Sequence, residues 1–515
     1  MKLNYKRTIL VGLAFFLISA FWQAYDATIP VILTNKFGMS QTWSGVIMAL
    51  DNILAVFMLP VFGALSDKCK ARSGKRTPFI RWGTLIAAAA LVCLSFVDDA
   101  QRINLAVVNE IDEPKGLELI YQSQGDKTLL TPEGEQFVLE DMFTLEEFAE
   151  IRSDYIDEET EKSPYTNYVV PARQAYAAEI TKAQPKELIV FVGILLVVLV
   201  AMSTFRSPAV ALMPDVTIKP LRSKANAVIN LMGTAGGILV LVLGMVFATS
   251  AVKNQLMNYT VYYCVIAGTM LGALAIFLLT VREPLWAKEM QAHSVRLGIE
   301  EEAEETDEKR KLSDSEKRSL IFILASIALW YFGYNAVTSK YAVYAGNILN
   351  MDYNTTLLLA QAAAIVAYMP AGIVASKIGR KKTIMAGIIM LTTAFGAASF
   401  LRAGSSVMLM NVLFALAGVG WATINVNSFP MVVELCSGGD VGKYTGFYYT
   451  ASMSAQIVTP MLSGFIMDMD GIGMTALFPY AAIFAGLAFV TMAFVKHGDS
   501  KPESKKGLEA LDIDD

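Results

Sequence analysis

Five ionisable side chains lie inside stretches otherwise long and apolar enough to cross a bilayer: Asp26, Asp51, Arg81, Arg206 and Lys340. A charge at the middle of a hydrocarbon layer costs about 2.5–3.5 kcal/mol on insertion scales, so each needs a partner or a function. A carboxyl group in such a place suits cation coupling, because burial favours its neutral form and an approaching Arg or Lys favours release of the proton. Asp51, near the middle of its stretch, and Asp26, in the outer third of its own, are the candidate coupling residues. The plainer alternative is a static ion pair with Arg206 or Lys340 that only holds helices together. Arg206 and Lys340 each sit roughly 27 Å along their helices at 1.5 Å per residue and are expected to reach a central cavity, whereas Arg81, one turn from its helix end, can snorkel. Two histidines (His293, His497) and four scattered cysteines (Cys69, Cys93, Cys264, Cys436) argue against zinc sites, disulfide frameworks and Ser-His-Asp or Cys-His catalysis. No cofactor is expected beyond a coupling cation, H⁺ in preference to Na⁺.

A second group suits recognition of a hydroxyl-rich ligand, which needs matched hydrogen bonds and a flat apolar face. The clusters are Gln23-x-Tyr25-Asp26, Trp330-x-x-x-Tyr334-Asn335 and Trp421-x-x-x-Asn425-x-Asn427. With Asn52, Arg206, Lys340 and Gln361 they form the candidate substrate set; Trp22, Asn230 and Gln456 are nearby in type and depth. Taken singly, each is explained as well by helix packing or an interfacial belt.

The elements that position these residues are membrane helices. Of 515 residues, 54% are hydrophobic and 17% charged, well to the apolar side of ordinary soluble domains. A window of about 19 residues finds twelve spans, near 8–33, 42–65, 77–97, 188–213, 225–250, 259–281, 320–346, 354–376, 382–402, 405–430, 444–467 and 474–495. The first has no A-x-A-like cleavage site and reads as a retained helix. Lys and Arg crowd one set of loops, including five in 66–76, eight in 282–319 and four in 377–382, while the short opposite loops hold Lys36, Lys253 and Arg402. The positive-inside rule then predicts a multi-pass protein of the inner or plasma membrane with both termini cytoplasmic. The expected divisions are 1–97 (spans 1–3), 98–187 (an insertion), 188–281 (spans 4–6), 282–319 (a linker), 320–496 (spans 7–12) and 497–515 (a tail).

The insertion carries 21 acids and 8 bases and falls outside the cell in this topology. Thr144-Leu-Glu-Glu147 before Phe148 and Ile151 has the pattern of a capping box, and 172–183 is a second candidate helix after Pro171. Val138, Leu139, Phe143, Phe148, Ile151 and Tyr155 suggest a small folded cap, with a disordered acidic loop as the alternative. Such a cap could contact another extracellular or periplasmic component. The run Glu300–Lys311 reads as solvated helix or linker.

A weak duplication joins the halves. Gly63-Ala-Leu-Ser-Asp67 followed by Arg72, Gly74-Lys75-Arg76 and Pro78 after span 2 returns, degenerate, as Gly372-Ile-Val-Ala-Ser376-Lys377 followed by Gly379-Arg380 after span 8. Such a repeat is expected of a two-halved secondary transporter with its site between the halves. These loops resemble the major facilitator superfamily. The stretched spacing from Asp67 to Gly74, with Arg72 inside it, is similar to the glycoside-pentoside-hexuronide cation symporters and the sucrose:proton symporters. Ser207-Pro-Ala-Val-Ala-Leu-Met-Pro-Asp215, with Arg222 and Ala225-Asn226-Ala227, resembles the span 4–5 signature of the sucrose group. Melibiose-type members carry cation-site acids where this chain has Ala55 and Leu59, and Asp51 stands one turn earlier; Val210 replaces an arginine of the sucrose group, with Arg206 one turn before it.

The resemblance implies an all-α membrane protein of twelve helices in two six-helix halves, the major facilitator fold, with a small extracellular insertion between helices 3 and 4. It implies a cavity lined by spans 1, 4, 7 and 10, and alternating-access symport of a disaccharide or glycoside with a cation, without enzymatic activity. Asp215 and Glu434, at corresponding inner helix ends, would pair with the basic loops around Arg72 and Arg380 and, with Asp67, gate the inner side. Sodium coupling, efflux, or a nutrient sensor with a transporter-like core are the alternatives. A monomer in the lipid bilayer is expected, with a sugar as its small-molecule partner and no nucleic acid.

Overall fold

The computed structural model describes residues 3–156, 163–218, 221–296, 312–435 and 441–498. A helix stands at each expected span. The first three are α1 (Tyr5–Asn35), α2 (Gln41–Asp67) and α3 (Thr77–Asn104). The insertion contributes α4 (Pro114–Gln124), α5 (Leu139–Met142), α6 (Leu145–Ala149) and α7 (Val170–Ala183), and the long helices resume with α8 (Lys186–Val216), α9 (Arg222–Val246) and α10 (Thr260–Thr280). After α11 (Glu283–Arg296) come α12 (Asp314–Tyr344), α13 (Tyr353–Ile378), α14 (Arg380–Ala398), α15 (Val407–Val433), α16 (Val441–Met467) and α17 (Leu477–Ala493). Ten of these, among the described residues, are long and apolar enough to cross a membrane. Outside that set stand α14, which opens on Arg380, Lys381 and Lys382, and α16.

Two hydrophobic cores form, one per half. Phe21, Phe191, Phe205, Tyr262 and Phe277 belong to the first; Trp330, Tyr341, Phe414 and Phe478 belong to the second, which Ala27 and Val31 of α1 also join. Helices apolar around most of their circumference satisfy lipid on one side and this core on the other. Between the halves, α2 and α16 touch backbone to backbone. A Cβ on Gly45 would lie 2.0 Å from the Pro460 carbonyl oxygen and one on Gly464 2.2 Å from that of Gln41, so glycine is what permits the approach.

The polar contacts resolved between the halves lie midway along the bundle or at the end carrying the insertion. There the Asp468 carboxylate accepts from the backbone N–H of Gln41 and Thr42 (2.8 and 2.7 Å) and from Thr42 Oγ1 (2.5 Å). The two N–H donors are first-turn amides of α2 without an intrahelical acceptor, where a negative charge is favoured. Lys340 Nζ donates to the Gln41 carbonyl at 2.5 Å, Ser250 Oγ to Asp352 at 2.5 Å, and Gln255 to Asn347 at 3.2 Å.

The insertion is folded. Val108, Leu117, Ile120, Leu139, Phe148, Tyr165 and Val169 are its buried core, and Phe143 and Ile151 pack against it. The capping box is present: Thr144 Oγ1 accepts from the Glu147 N–H while Glu147 accepts from the Thr144 N–H. Tyr155 instead stands 55% exposed and takes no part in the core. Neither α4 nor the antiparallel pair Leu129–Leu130 with Gln136–Phe137 is anticipated from the sequence, and the two-residue strands of the pair are too short to give a periodic pattern. Its base is pinned by Lys36, which is not a solvated loop base: it is fully buried, donates to Asp98 at 2.7 Å and to the Met257 carbonyl at 2.8 Å, and lies 4.8 Å from the Tyr259 ring centre.

The linker holds more structure than its charge suggested. In α11, Trp286 and Glu283 are buried, and α12 begins at Asp314 behind a Ser313–Glu316 capping box. The Glu300–Lys311 run lies outside the described residues, as does the tail beyond 498.

Candidate functional site

A cavity of about 520 Å³ opens between the halves at mid-length, lined from α1, α8, α9, α12, α13, α14 and α15. Of the candidate substrate residues it brings together Gln23, Asp26, Arg206, Tyr334, Gln361, Trp421 and Asn425. The rings of Tyr334 on α12 and Trp421 on α15 stack at 3.7 Å with 5° between planes. The result is one continuous aromatic wall. Gln361 Nε2 donates to Gln23 Oε1 at 2.6 Å, a hydrogen bond across the two halves. Arg206 sits 5.8 Å from the Trp22 ring centre, so a cation rests beside an aromatic face that also borders the cavity.

Asp51 is set back from this lining. Asn52 Nδ2 donates to Asp51 Oδ1 at 2.8 Å, and Asp51 is within electrostatic reach of Arg206 and of Asp26. Tyr25 is buried next to both carboxyls, edge-on to Trp22 at 5.4 Å, and its hydroxyl has no hydrogen-bond partner among the described residues. Asp26 and Arg206 thus line the cavity, while the Asp51 carboxyl and the Tyr25 phenol are set back from it.

Other candidates lie elsewhere. Lys340 is fully buried at the insertion end, bonded to the Gln41 carbonyl and close to Asp468, so it belongs to the contact between halves and not to the cavity. Trp330 is 1% exposed within the second core. Asn427 is buried and donates to the Thr423 carbonyl of its own helix at 2.9 Å. Asn335 and Asn52 are half-buried and do not line the cavity. Helical phase explains these departures: in the clusters on α12 and α15 only one face, Tyr334 with Thr338 and Trp421 with Asn425, turns to the cavity. Ser19, Asn230, Thr234 and Tyr368 line it as well. Asn230 stood out by type; Tyr368, two residues before Pro370 on α13, carried no signal, because the family pattern pointed to spans 1, 4, 7 and 10.

At the end opposite the insertion, Arg76 is the organising cation, in place of Arg72. Its Nε donates to Asp215 at 2.8 Å, its Nη2 to Asp67 at 2.5 Å and its Nη1 to Ser66, whereas Arg72 is exposed. Glu283 of α11 holds this loop in place: Oε1 accepts from the N–H of Lys75 (2.6 Å) and Arg76 (2.8 Å), and Oε2 from the N–H and Oγ1 of Thr77 (2.8 and 2.7 Å). The carboxylate caps α3 and aims Arg76. In the second half Arg380 pairs with Glu434. Arg222 closes the end of α8 by donating to the carbonyls of Thr217 and Pro214 at 3.2 and 3.1 Å.

The profile of the Major Facilitator Superfamily matches residues 180–428 and 353–512, and that of MFS/sugar transport protein matches residues 10–107. The chain belongs to the major facilitator superfamily. Its long apolar helices and this membership make it a multi-pass membrane protein. Among relatives, it is 26% identical over 144 residues to the MFS-type transporter ppzB of Metarhizium rileyi (28% of this chain, 29% of that one). It is 27% identical over 196 residues to the uncharacterized protein YqgE of Bacillus subtilis (36% and 44%). The chain thus spans less than half the length of the curated relatives it matches. The inward-open xylose transporter XylE from E. coli superposes with TM-score 0.54 at 15% identity over 99% of both chains. A bacterial homologue of the iron transporter ferroportin in its inward-facing state gives 0.56 at 13% identity, covering 96% and 99%. A D-xylose–proton symporter gives 0.55 at 14%, covering 98% and 100%. At such identities the likeness establishes the fold alone, and the same fold serves a pentose and a metal ion.

Proposed function

We propose that the transporter moves a sugar, of the disaccharide or glycoside class, together with a cation, H⁺ in preference to Na⁺, by alternating access. The observation that carries this reading is the stacked Tyr334–Trp421 wall in one cavity with the polar side chains of Gln23, Gln361 and Asn425. A sugar ring offers an apolar face to stack and equatorial hydroxyls to pair, and about 520 Å³ falls in the range that encloses small organic ligands. The match of 10–107 to the sugar-transport family and the loop likeness to glycoside and sucrose symporters support the same class. Asp51 and Asp26 supply the coupling side: a carboxyl near Arg206 can exchange a proton as that guanidinium approaches or withdraws. In this reading the insertion end faces outside, the Arg76 end faces the cytoplasm of a cell bounded by the inner or plasma membrane, and the Asp67–Arg76–Asp215 and Arg380–Glu434 pairs brace the inner end of each half while it moves.

The test is uptake of labelled sucrose, maltose, melibiose and a pentoside into proteoliposomes under an imposed pH gradient and then an imposed sodium gradient. Accumulation driven by the pH gradient is expected; accumulation driven only by sodium would transfer coupling to Na⁺, and no uptake or counterflow of any sugar by folded protein would end the sugar reading. Asp51→Asn is expected to abolish uphill accumulation while leaving downhill exchange measurable, and full concentrative uptake by that variant would remove Asp51 from coupling.

A further inference from the structure

The insertion is tied to the first half by its chain ends, yet its tip is bonded to the second. Its tight turn at 131–135, closed by Thr131 N–H to the Glu135 carbonyl (2.8 Å) and Gly134 N–H to the Thr131 carbonyl (2.9 Å), lies against the loop between α16 and α17. Two backbone hydrogen bonds join them: Gly471 N–H to the Gly134 carbonyl at 2.7 Å and Met474 N–H to the Pro132 carbonyl at 2.6 Å. An ion pair, Arg402 Nε to Glu133 at 3.2 Å, and a hydrogen bond from Gln136 Nε2 to Asp470 at 3.2 Å flank them. The surfaces meet without side chains between them: a Cβ on Gly134, whose φ is +87°, would lie 2.6 Å from the Gly473 nitrogen.

The loop so gripped begins two residues after Asp468, whose carboxylate sits on the α2 N-terminus. One short segment of the second half, 468–474, is therefore held from two directions, by α2 and by the insertion. The insertion cannot drift away from the first half when the strap is made, because Lys36, buried against Asp98 and bonded to Met257, fixes its root, and Gln101 Nε2 donates to the Lys36 carbonyl at 2.9 Å and to Thr181 Oγ1 at 3.0 Å. Helices α2 and α16 must part for the cavity to open at this end. The turn would have to part with them.

We infer that the 131–135 turn of the insertion is a strap that holds the insertion end of the transporter closed and is released each time that end opens. This inference rests on the alternating-access reading. Because the bonds of the strap are few, it biases an equilibrium that the α2–α16 contact sets. It does not replace that contact.

The test uses full-length protein in lipid nanodiscs with Cys69, Cys93, Cys264 and Cys436 replaced and spin labels at Lys253 and Phe400, exposed positions at the insertion end of the two halves. Gly134→Ala wedges the turn off the loop and is expected to raise the ratio of long to short label distances about tenfold; Glu133→Ala with Arg402→Ala, a milder surface change, about threefold. A disulfide between Pro132→Cys and Met474→Cys is expected to remove the long distance, and reductant to restore it. A long-distance fraction equal in wild type and both weakened variants, or undiminished with the disulfide closed, would overturn the strap. A protein that shows no long distance in any variant would overturn the alternating-access reading beneath it.

Discussion

The two ends of the bundle are held by different kinds of bond. At the insertion end the contacts run between halves: Asp468 to the α2 N-terminus, Lys340 to Gln41, Ser250 to Asp352, and the insertion's turn to the α16–α17 loop. At the Arg76 end the ion pairs among the described residues lie within a half, Arg76 with Asp67 and Asp215 in one and Arg380 with Glu434 in the other. A carrier that rocks about a central site needs one end bonded across while the other is free to part. Charges paired inside each half remain paired when that end parts, so opening strands no buried ion, which would cost several kcal/mol. The contrast describes a state closed at the insertion end.

The largest effect on this contrast is expected from Asp468→Ala. It strips three donors of a charged acceptor, and hydrogen bonds to charged groups contribute roughly 1.5–3 kcal/mol. The equilibrium should move some 10- to 100-fold toward opening at the insertion end, read as the Lys253–Phe400 label distance. An unmoved distance would show that closure there depends on α2–α16 packing alone. The opposite end is tested by a pair of variants. Arg76→Ala leaves Asp67 and Asp215 without their common cation and should slow initial uptake about tenfold, whereas Arg72→Ala, at an exposed position, should stay within about twofold. Equal losses in the two would erase the distinction between them.

The smallest effect concerns Asp352, which caps α13 just outside its span. Burial pushes this carboxyl up, but hydrogen bonds from Ser250, Thr355 and the amides of Asn354 and Thr355 outweigh it and hold it below the usual carboxylate range. A group depressed on folding stabilises the protein above its unfolded value, near 3.9, and loses that contribution as pH falls through its folded value. Asp352→Asn should therefore cost about 0.5–1.5 kcal/mol, constant from pH 8 to pH 5 and shrinking below about pH 4, in thermal unfolding compared with the parent. A gap that closes already at pH 6 would mean that another group carries the contact.

Local patterns proved readable where the physics is local. The Thr144–Glu147 box needs only four residues in order, and it is formed. The helix foreseen over 172–183 is α7, whose first turn takes Pro171 without losing a hydrogen bond. The Ser313–Glu316 box has the same signature and lay unnoticed within a charged linker. Where several residues of one type lie close together, the pattern was ambiguous: Arg72 and Arg76 are alike in composition, and only the loop's path, drawn in by Glu283 from 207 residues beyond Arg76, selects Arg76. Lys340 looked like a cavity residue by depth and proved to be one of the bonds between halves, because depth along a helix says nothing about the face on which a side chain emerges. Asp468 drew no attention, since an acid near a helix end is ordinary until another helix's free amides arrive beside it.

By itself the sequence determined the class of molecule. Twelve apolar stretches of bilayer length and a repeated Gly–acid–basic loop require helices that satisfy their own backbone in lipid, and they tie the chain to its superfamily. Which polar side chains meet was decided only by tertiary structure. The Tyr334–Trp421 stack, the Gln23–Gln361 bond and the insertion's grip on residues 471–474 join groups from 87 to about 340 residues apart. Their meeting depends on helix rotation and on glycine-permitted closeness between α2 and α16, quantities set by the packing of both halves at once and by no single segment.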